Sequence, residues 1–162
     1  MKNPLLFLIL FQLLFISSSF GQSHQLLDWQ IGYHKTMNDQ PLKWMKATVP
    51  GAVQADVIIG EKFKQPIWYG DNIKDKDNKL VTLEQFFFTY KTSFKRPDAK
   101  QGQRIFFHSK GIDYHFHVFL NGEKLLTQEG MFTYVDLDIT DKLKDNNELK
   151  ISLLPISMAG SD

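Results

Sequence analysis

Apolar and polar residues alternate with a period of two along much of the chain. Tyr114, Phe116, Val118 and Leu120 share one parity, which puts four apolar side chains on one face of a strand. Asn121-Gly122 follows at once, and this pair suits a type I′ turn because both central residues need positive φ. Glu123 to Thr127 then reads as the returning strand of a hairpin, followed by a polar loop. From Thr133 to Ile139, Tyr134, Asp136 and Asp138 alternate with Val135, Leu137 and Ile139, the pattern of a half-buried strand. Gln85 to Phe94 carries Phe86, Phe88 and Tyr90 on one parity and Phe87 on the other, so it predicts a strand covered on both faces for part of its length.

The remaining elements are shorter. Trp29 lies in an apolar stretch from Gln25 to Ile31, His34 to Gln40 reads as a polar loop, and Leu42-Lys43-Trp44 reads as a short edge strand. Pro50-Gly51 breaks any element, and Val53 to Ile59 fits one or two helical turns. Gln65 to Asn72 is turn-rich, and Asn72 to Lys79 is almost wholly polar and expected to be an exposed loop. Arg104 to Ser109 is a strand after the loop Pro97 to Gln103. Thr140-Asp141 can cap a helical turn through Leu143, Asn146-Asn147 turns the chain, and Glu148 to Leu154 forms the last strand before Pro155. Short strands between turn signals, with little helix and no internal repeat, predict an all-β antiparallel sandwich.

Composition narrows the partners more than it defines a chemistry. Lys2 precedes an apolar run from Leu5 to Ile16 broken only by Gln12, and Ser19 and Gly21 stand at the −3 and −1 positions of a cut before Gln22. That is the layout of a secretory signal peptide over residues 1–21, with an apolar run short for a membrane span. An uncleaved N-terminal anchor is the alternative. No Cys follows, which excludes a lipid-anchored lipoprotein. Residues 22–162 are then expected to form one β-sandwich domain, exported to the periplasm or secreted. Taking Lys2 from the 19 basic residues leaves 18 against 18 acidic ones. The domain is formally neutral, and nothing electrostatic points to nucleic acid or an anionic membrane. Without Cys, apolar burial must hold an exported fold, and the ten of the 14 Phe that lie in residues 22–162 are consistent with that.

Four segments together resemble the N-terminal sandwich domain of glycoside hydrolase family 2, in its β-mannosidase branch. They are Ala47-Thr48-Val49-Pro50-Gly51-Ala52-Val53 with Asp56 and Ile58 after it, Pro66-Ile67-Trp68-Tyr69-Gly70-Asp71-Asn72, Gly111-Ile112-Asp113-Tyr114 running into Val118-Phe119-Leu120-Asn121-Gly122, and Glu129-Gly130-Met131-Phe132 followed by Asp138-Ile139-Thr140 and Asn147-Glu148-Leu149. Their order and spacing agree with the family over most of residues 27–155. Two positions depart from it: Leu83 or Phe86 stands where the family usually has a Trp, and Gln128 stands where it has His. The resemblance implies a jelly-roll-like, galactose-binding-domain-like sandwich with no cofactor. In the family this domain packs beside a catalytic barrel and helps shape the pocket of an enzyme acting on β-mannosides. The family's Trp-Asp-Trp-Gly segment, and the barrel with its two catalytic Glu, follow the region matching Ile151 to Pro155. The resemblance therefore implies a fragment without the closing strands, with no catalytic residue of its own and no catalysis. A stand-alone secreted carbohydrate-binding module is the alternative, and an adhesion-type sandwich without a glycan ligand is a third.

Several residues have chemistry worth weighing against a structural role. A retaining glycosidase needs two carboxyl groups about 5–5.5 Å apart; Asp136 and Asp138 share a strand face about 7 Å apart at Cα, and the regular alternation predicts a solvated outer face. His115 and His117 form a His-x-His pair, with His108 or Asp113 as possible third ligand, though the expectation is an outer or interdomain face and no metal. Asp136, Asp138 and Asp141 lack the Gly-containing loop of a dedicated calcium site. Trp68, Tyr69, Asp71 and Asn72 are the best sugar-contact candidates, since aromatic faces stack on pyranose rings and short carboxylate and amide groups bind hydroxyls. For Trp68 and Tyr69, which follow Pro66 in a turn, packing into the sandwich or against a neighbouring domain is the stronger expectation, and Met131 and Phe132 are loop residues suited to an interface patch.

Overall fold

Among the described residues, eight strands and one helix follow in the order β1 (Trp29–His34), β2 (Met45–Ala47), α1 (Val53–Gly60), β3 (Phe87–Lys95), β4 (Phe106–Ser109), β5 (His115–Leu120), β6 (Glu123–Glu129), β7 (Val135–Asp138) and β8 (Asn146–Leu153), with a 3-10 turn over Thr140–Lys142 before β8. The computed structural model describes residues 27–63 and 85–155. Six strands form one sheet in the order β2-β1-β3-β8-β5-β6, and β4 pairs with β7 in a second sheet. Every pairing is antiparallel. The predicted all-β antiparallel sandwich is the observed architecture.

The core lies between the two sheets, and strand parity decides which side chains enter it. Ile31, Tyr90, Ile151, Val118 and Leu126 stand in register across five strands. Ile31, Phe116 and Val118 are fully buried, and Leu120, Val135 and Leu149 are 1% exposed. Each such side chain contributes on the order of 1.5–3 kcal/mol by leaving water. Helix α1 closes one end: Asp56, itself buried, accepts from the Thr48 backbone N–H at 3.0 Å and lies 3.5 Å from the Tyr90 hydroxyl. Burial first, then the Asp56 charge, pushes the Tyr90 phenol above its ordinary range. The Asp56 that belongs to the Pro50-Gly51 motif is thus a fixture of the scaffold.

The hairpin forms as predicted. Asn121 and Gly122 have φ of 53° and 86°, the left-handed pair that a type I′ turn requires. A Cβ on Gly122 would meet nothing within 4 Å, so glycine is needed there for its backbone conformation and not for space. The buried face of β5 holds three of the four expected residues, because Tyr114 precedes the strand and is 39% exposed. Its loop is drawn toward the loop after β6 instead. A Cβ on Gly111 would lie 2.6 Å from the Met131 carbonyl oxygen, and the Gly130 N–H donates to the Tyr114 carbonyl at 3.0 Å.

Three boundaries differ from the sequence expectation, each for a reason outside the local pattern. The edge strand is Met45–Ala47, not Leu42 to Trp44; Met45 pairs with Ile31 and is buried, whereas Leu42 is wholly exposed. His34 ends β1 instead of opening a loop. Its Nε2 lies 2.9 Å from Thr89 Oγ1, which lies 3.0 Å from Ser152 Oγ, so a buried polar chain links β1, β3 and β8. Asn146-Asn147 begins β8 and does not form a turn: the Asn147 side chain accepts from the Lys144 N–H and donates to the Lys144 carbonyl, turning the chain just ahead of it. The helical turn begins after Ile139 with no side-chain cap, so Thr140-Asp141 does not cap it; just ahead of it Asp138 Oδ1 accepts from the Thr140 N–H at 3.0 Å.

Candidate functional site

Trp68, Tyr69, Asp71 and Asn72, the predicted sugar contacts, lie outside the described residues. The described residues with candidate chemistry are divided between the two outer faces of the sandwich, and register explains the division. On β5 the parity that buries Phe116 and Val118 turns His115 and His117 to the outside of the large sheet. On β4 the exposed parity carries Phe106 and His108, on the outside of the small sheet. His108 and the His115/His117 pair therefore face opposite sides, and no group of three metal-ligating side chains occurs among the described residues. His117 Nδ1 lies 2.8 Å from Thr127 Oγ1 on β6. Burial, then Lys124 and His115, hold its imidazole below the ordinary value and favour the neutral ring.

The small sheet brings together residues that are far apart in sequence. Phe106 stands opposite Asp138, and His108 opposite Asp136. His108 Nδ1 lies 3.3 Å from Asp136 Oδ1, and its ring stacks on Tyr134 with centroids 6.2 Å apart. Arg104 pairs with Asp138 and with Asp141, the latter at 3.2 Å. Phe106 is 52% and Tyr134 66% exposed, and the neighbouring loop leaves Phe132 85% exposed. Met131, beside it, is also exposed, so the loop residues expected as a patch do face solvent. Phe106 and Tyr134 were not singled out by their chemistry in the sequence. Their parity was legible, but the pairing of β4 with β7 that sets them on one face was not.

Asp138 is not set up as a proton donor. The Arg104 hydrogen bond first, then those from Thr140, hold Asp138 at about 2, below its ordinary 3.8. A general acid needs the opposite shift, toward the working pH. The sign of the pH dependence follows. A carboxyl with a lowered folded pKa adds stability above its unfolded value and loses it as pH falls, here between about pH 4 and 2. His117 acts in the same direction at higher pH: its folded value is depressed from 6.5, so stability falls as pH drops below that value. Carboxyl-detected NMR should show Asp138 titrating near 2 in the native chain and moving back toward 3.8 in Arg104→Gln. An unchanged Asp138 midpoint in that variant would refute the ion pair as the cause.

Known proteins resemble the chain in both sequence and fold. The family model described as glycosyl hydrolase 2 galactose-binding domain-like matches residues 29–160. Beta-mannosidase B of Aspergillus clavatus is 31% identical over 111 residues, covering 68% of this chain and 12% of that protein. The beta-mannosidase of Rattus norvegicus is 27% identical over 133 residues, covering 81% of this chain and 14% of its own. Among solved structures, the beta-D-mannosidase from Dictyoglomus thermophilum superposes with a TM-score of 0.64 at 26% identity, over 82% of this chain and 15% of that one. A beta-glucuronidase from an uncultured Clostridium shares the fold at 14% identity, with a TM-score of 0.57 over 82% of this chain and 22% of its own. The chain thus spans between 12% and 15% of the length of these beta-mannosidases. Among the described residues, no helix is long and apolar enough to cross a membrane.

Proposed function

The chain belongs to the glycosyl hydrolase 2 galactose-binding domain-like family, and on that premise we propose that it is the N-terminal, non-catalytic sandwich of a β-mannosidase-like glycoside hydrolase acting on β-mannosides in carbohydrate catabolism. The observation that carries this reading is the lopsided coverage. Beta-mannosidases match 68% or 81% of this chain, yet this chain accounts for only 12% or 14% of them. The chemistry of the described carboxyls supports it. Asp56 is occupied within the scaffold, and Asp138 is held ionised beside Arg104. In the whole protein the domain packs beside a catalytic barrel that supplies the chemistry. The isolated 162-residue chain is expected to leave an aryl β-mannoside unhydrolysed. Turnover at an ordinary enzyme rate of about 1 s⁻¹ or more would overturn the non-catalytic assignment.

Residues 1–21 serve, on this reading, as a signal peptide removed before Gln22, and the domain is exported. Amino-terminal sequencing of exported material should begin at Gln22, and recovery of intact Met1 in the cytoplasm would refute export. A second reading, a stand-alone secreted carbohydrate-binding module, is favoured by the large aromatics left exposed on the small sheet and its neighbouring loop. Under either reading Trp68, Tyr69, Asp71 and Asn72 contact the sugar. Calorimetry with a manno-oligosaccharide should then show saturable binding weakened about tenfold or more in Trp68→Ala. Wild-type affinity in that variant would remove the segment from the site.

A further inference from the structure

We propose that the outer face of the β4–β7 sheet is a saccharide platform, on which Phe106, His108 and Tyr134 stack successive rings of a neutral oligosaccharide. It rests on the carbohydrate-binding reading above, which the same exposed aromatics favour, and takes the β-mannoside ligand from it. Three observations place it there. The first is the row itself. Phe106 and His108 are two residues apart on β4, and Tyr134 immediately precedes β7 at the end of the ladder beyond His108, its ring 6.2 Å from that of His108, so the three backbone positions extend over about 13 Å along the strand direction. A row of side chains along a two-stranded face suits an extended ligand and not a globular small molecule. The second is exposure. Phe106 at 52% and Tyr134 at 66% present apolar surface to water, although their strand neighbours Phe107 and Val135 turn into the core.

The third is the polar row beside the rings. Asp136 and Asp138 lie on β7 opposite His108 and Phe106, in line with Tyr134 on the same segment. Carboxylates accept hydrogen bonds from vicinal hydroxyls while the ring faces take the apolar C–H surface of the sugar. The sign of the charge selects among ligands. Asp136, Asp138 and Asp141 stand against Arg104 and, one step past β4 on the same exposed parity, Lys110, so the face keeps a small excess of negative charge that disfavours uronates, sulfated glycans and nucleic acid and leaves a neutral polyol unaffected. The His108 ring is already oriented by Asp136 and by its stack on Tyr134, which lowers the ordering cost of binding.

The test uses the full 162-residue chain, isotope-labelled, titrated by NMR with β-1,4-mannohexaose, β-1,4-glucohexaose and an oligogalacturonate. Saturable shifts with mannohexaose at Phe106, His108 and Tyr134, absent with the oligogalacturonate, are the expected result. Tyr134→Ala and Phe106→Ala should each weaken binding about tenfold with unchanged melting temperature. Tyr134→Phe should retain most of the affinity, and Trp68→Ala should leave the shifts at these three rings in place. Binding of glucohexaose alone at the same rings would keep the platform and count against the β-mannoside reading. No shift at these rings with either neutral ligand would overturn the platform. So would wild-type affinity in Tyr134→Ala, or equal binding of the oligogalacturonate.

Discussion

Phe116→Ala should cost about 3–5 kcal/mol of unfolding free energy, the range for truncating a buried aromatic in a packed core. Phe116 has no exposed surface and sits on β5, with Leu153 of β8 on one side and Gln128 of β6 on the other. Its removal opens a void at the centre of the large sheet's inner face, where neighbours from two strands cannot both collapse. A domain of this size has roughly 5–15 kcal/mol in total, so the variant is expected to lose a large share of its stability. Urea denaturation should show a lower midpoint with an unchanged slope. Phe106→Ala, on the exposed parity of β4, is the matched control and should change stability by no more than about 0.5 kcal/mol. Equal losses in the two variants would mean that strand parity does not separate core from surface as described.

Asn147→Ala is expected to cost about 2–4 kcal/mol, although it removes no apolar surface, because it orphans several polar groups at once. Asn147 is 4% exposed. Its amide accepts from the Lys144 N–H at 2.8 Å and from Asn121 Nδ2 at 3.0 Å, and donates to the Lys144 carbonyl at 2.7 Å. Asn121 in turn accepts from the Glu148 N–H at 3.0 Å. Two asparagines thus tie the tight turn between β5 and β6 to the start of β8, a contact between segments more than twenty positions apart. Hydrogen exchange should quicken at the Lys144 and Glu148 amides in the variant, ahead of any change in the β1–β3 ladder. A loss below about 0.5 kcal/mol would show that water replaces the clip without cost.

The same clip shows where the sequence was readable and where it was not. Asn121-Gly122 could be recognised because a two-residue hairpin restricts its own backbone, and the restriction is local. Asn146-Asn147 carries an equally turn-like signal, yet it starts a strand, since the Asn147 side chain makes the turn's hydrogen bonds from outside it. The alternation in β7 was legible for the same reason as the hairpin, as one parity meets a core. Pairing partners were not. Leu42 is as apolar as Met45, but only Met45 meets Ile31 across the ladder, and nothing local distinguishes them. His34 looked like a loop residue because its partners, Thr89 and Ser152, come from strands much later in the chain.

The candidate chemistry divides along the same line. Single-strand parity correctly placed Asp136 and Asp138 on a solvated face, and turned His115 and His117 away from the core. Which of these residues face one another depends on β4 pairing with β7 and β5 with β8. That pairing separates His108 from the other two histidines and brings it to Tyr134 and Asp136. The motifs that resemble the family are, where described, employed in the scaffold: Asp56 at the helix, Gly111 against Met131, Asn121 against Asn147. A segment that identifies a family can therefore owe its pattern to folding and not to chemistry.

The central proposal is that this sandwich belongs to a longer β-mannosidase-like enzyme whose catalytic residues lie in another domain. The most direct test is to capture the native gene product through an antibody to this domain and assay the captured material against an aryl β-mannoside. The expected result is hydrolysis that travels with a polypeptide several times longer than 162 residues, with none from the 162-residue chain alone. A captured product no longer than this chain, or a short chain that itself turns the substrate over, would contradict it.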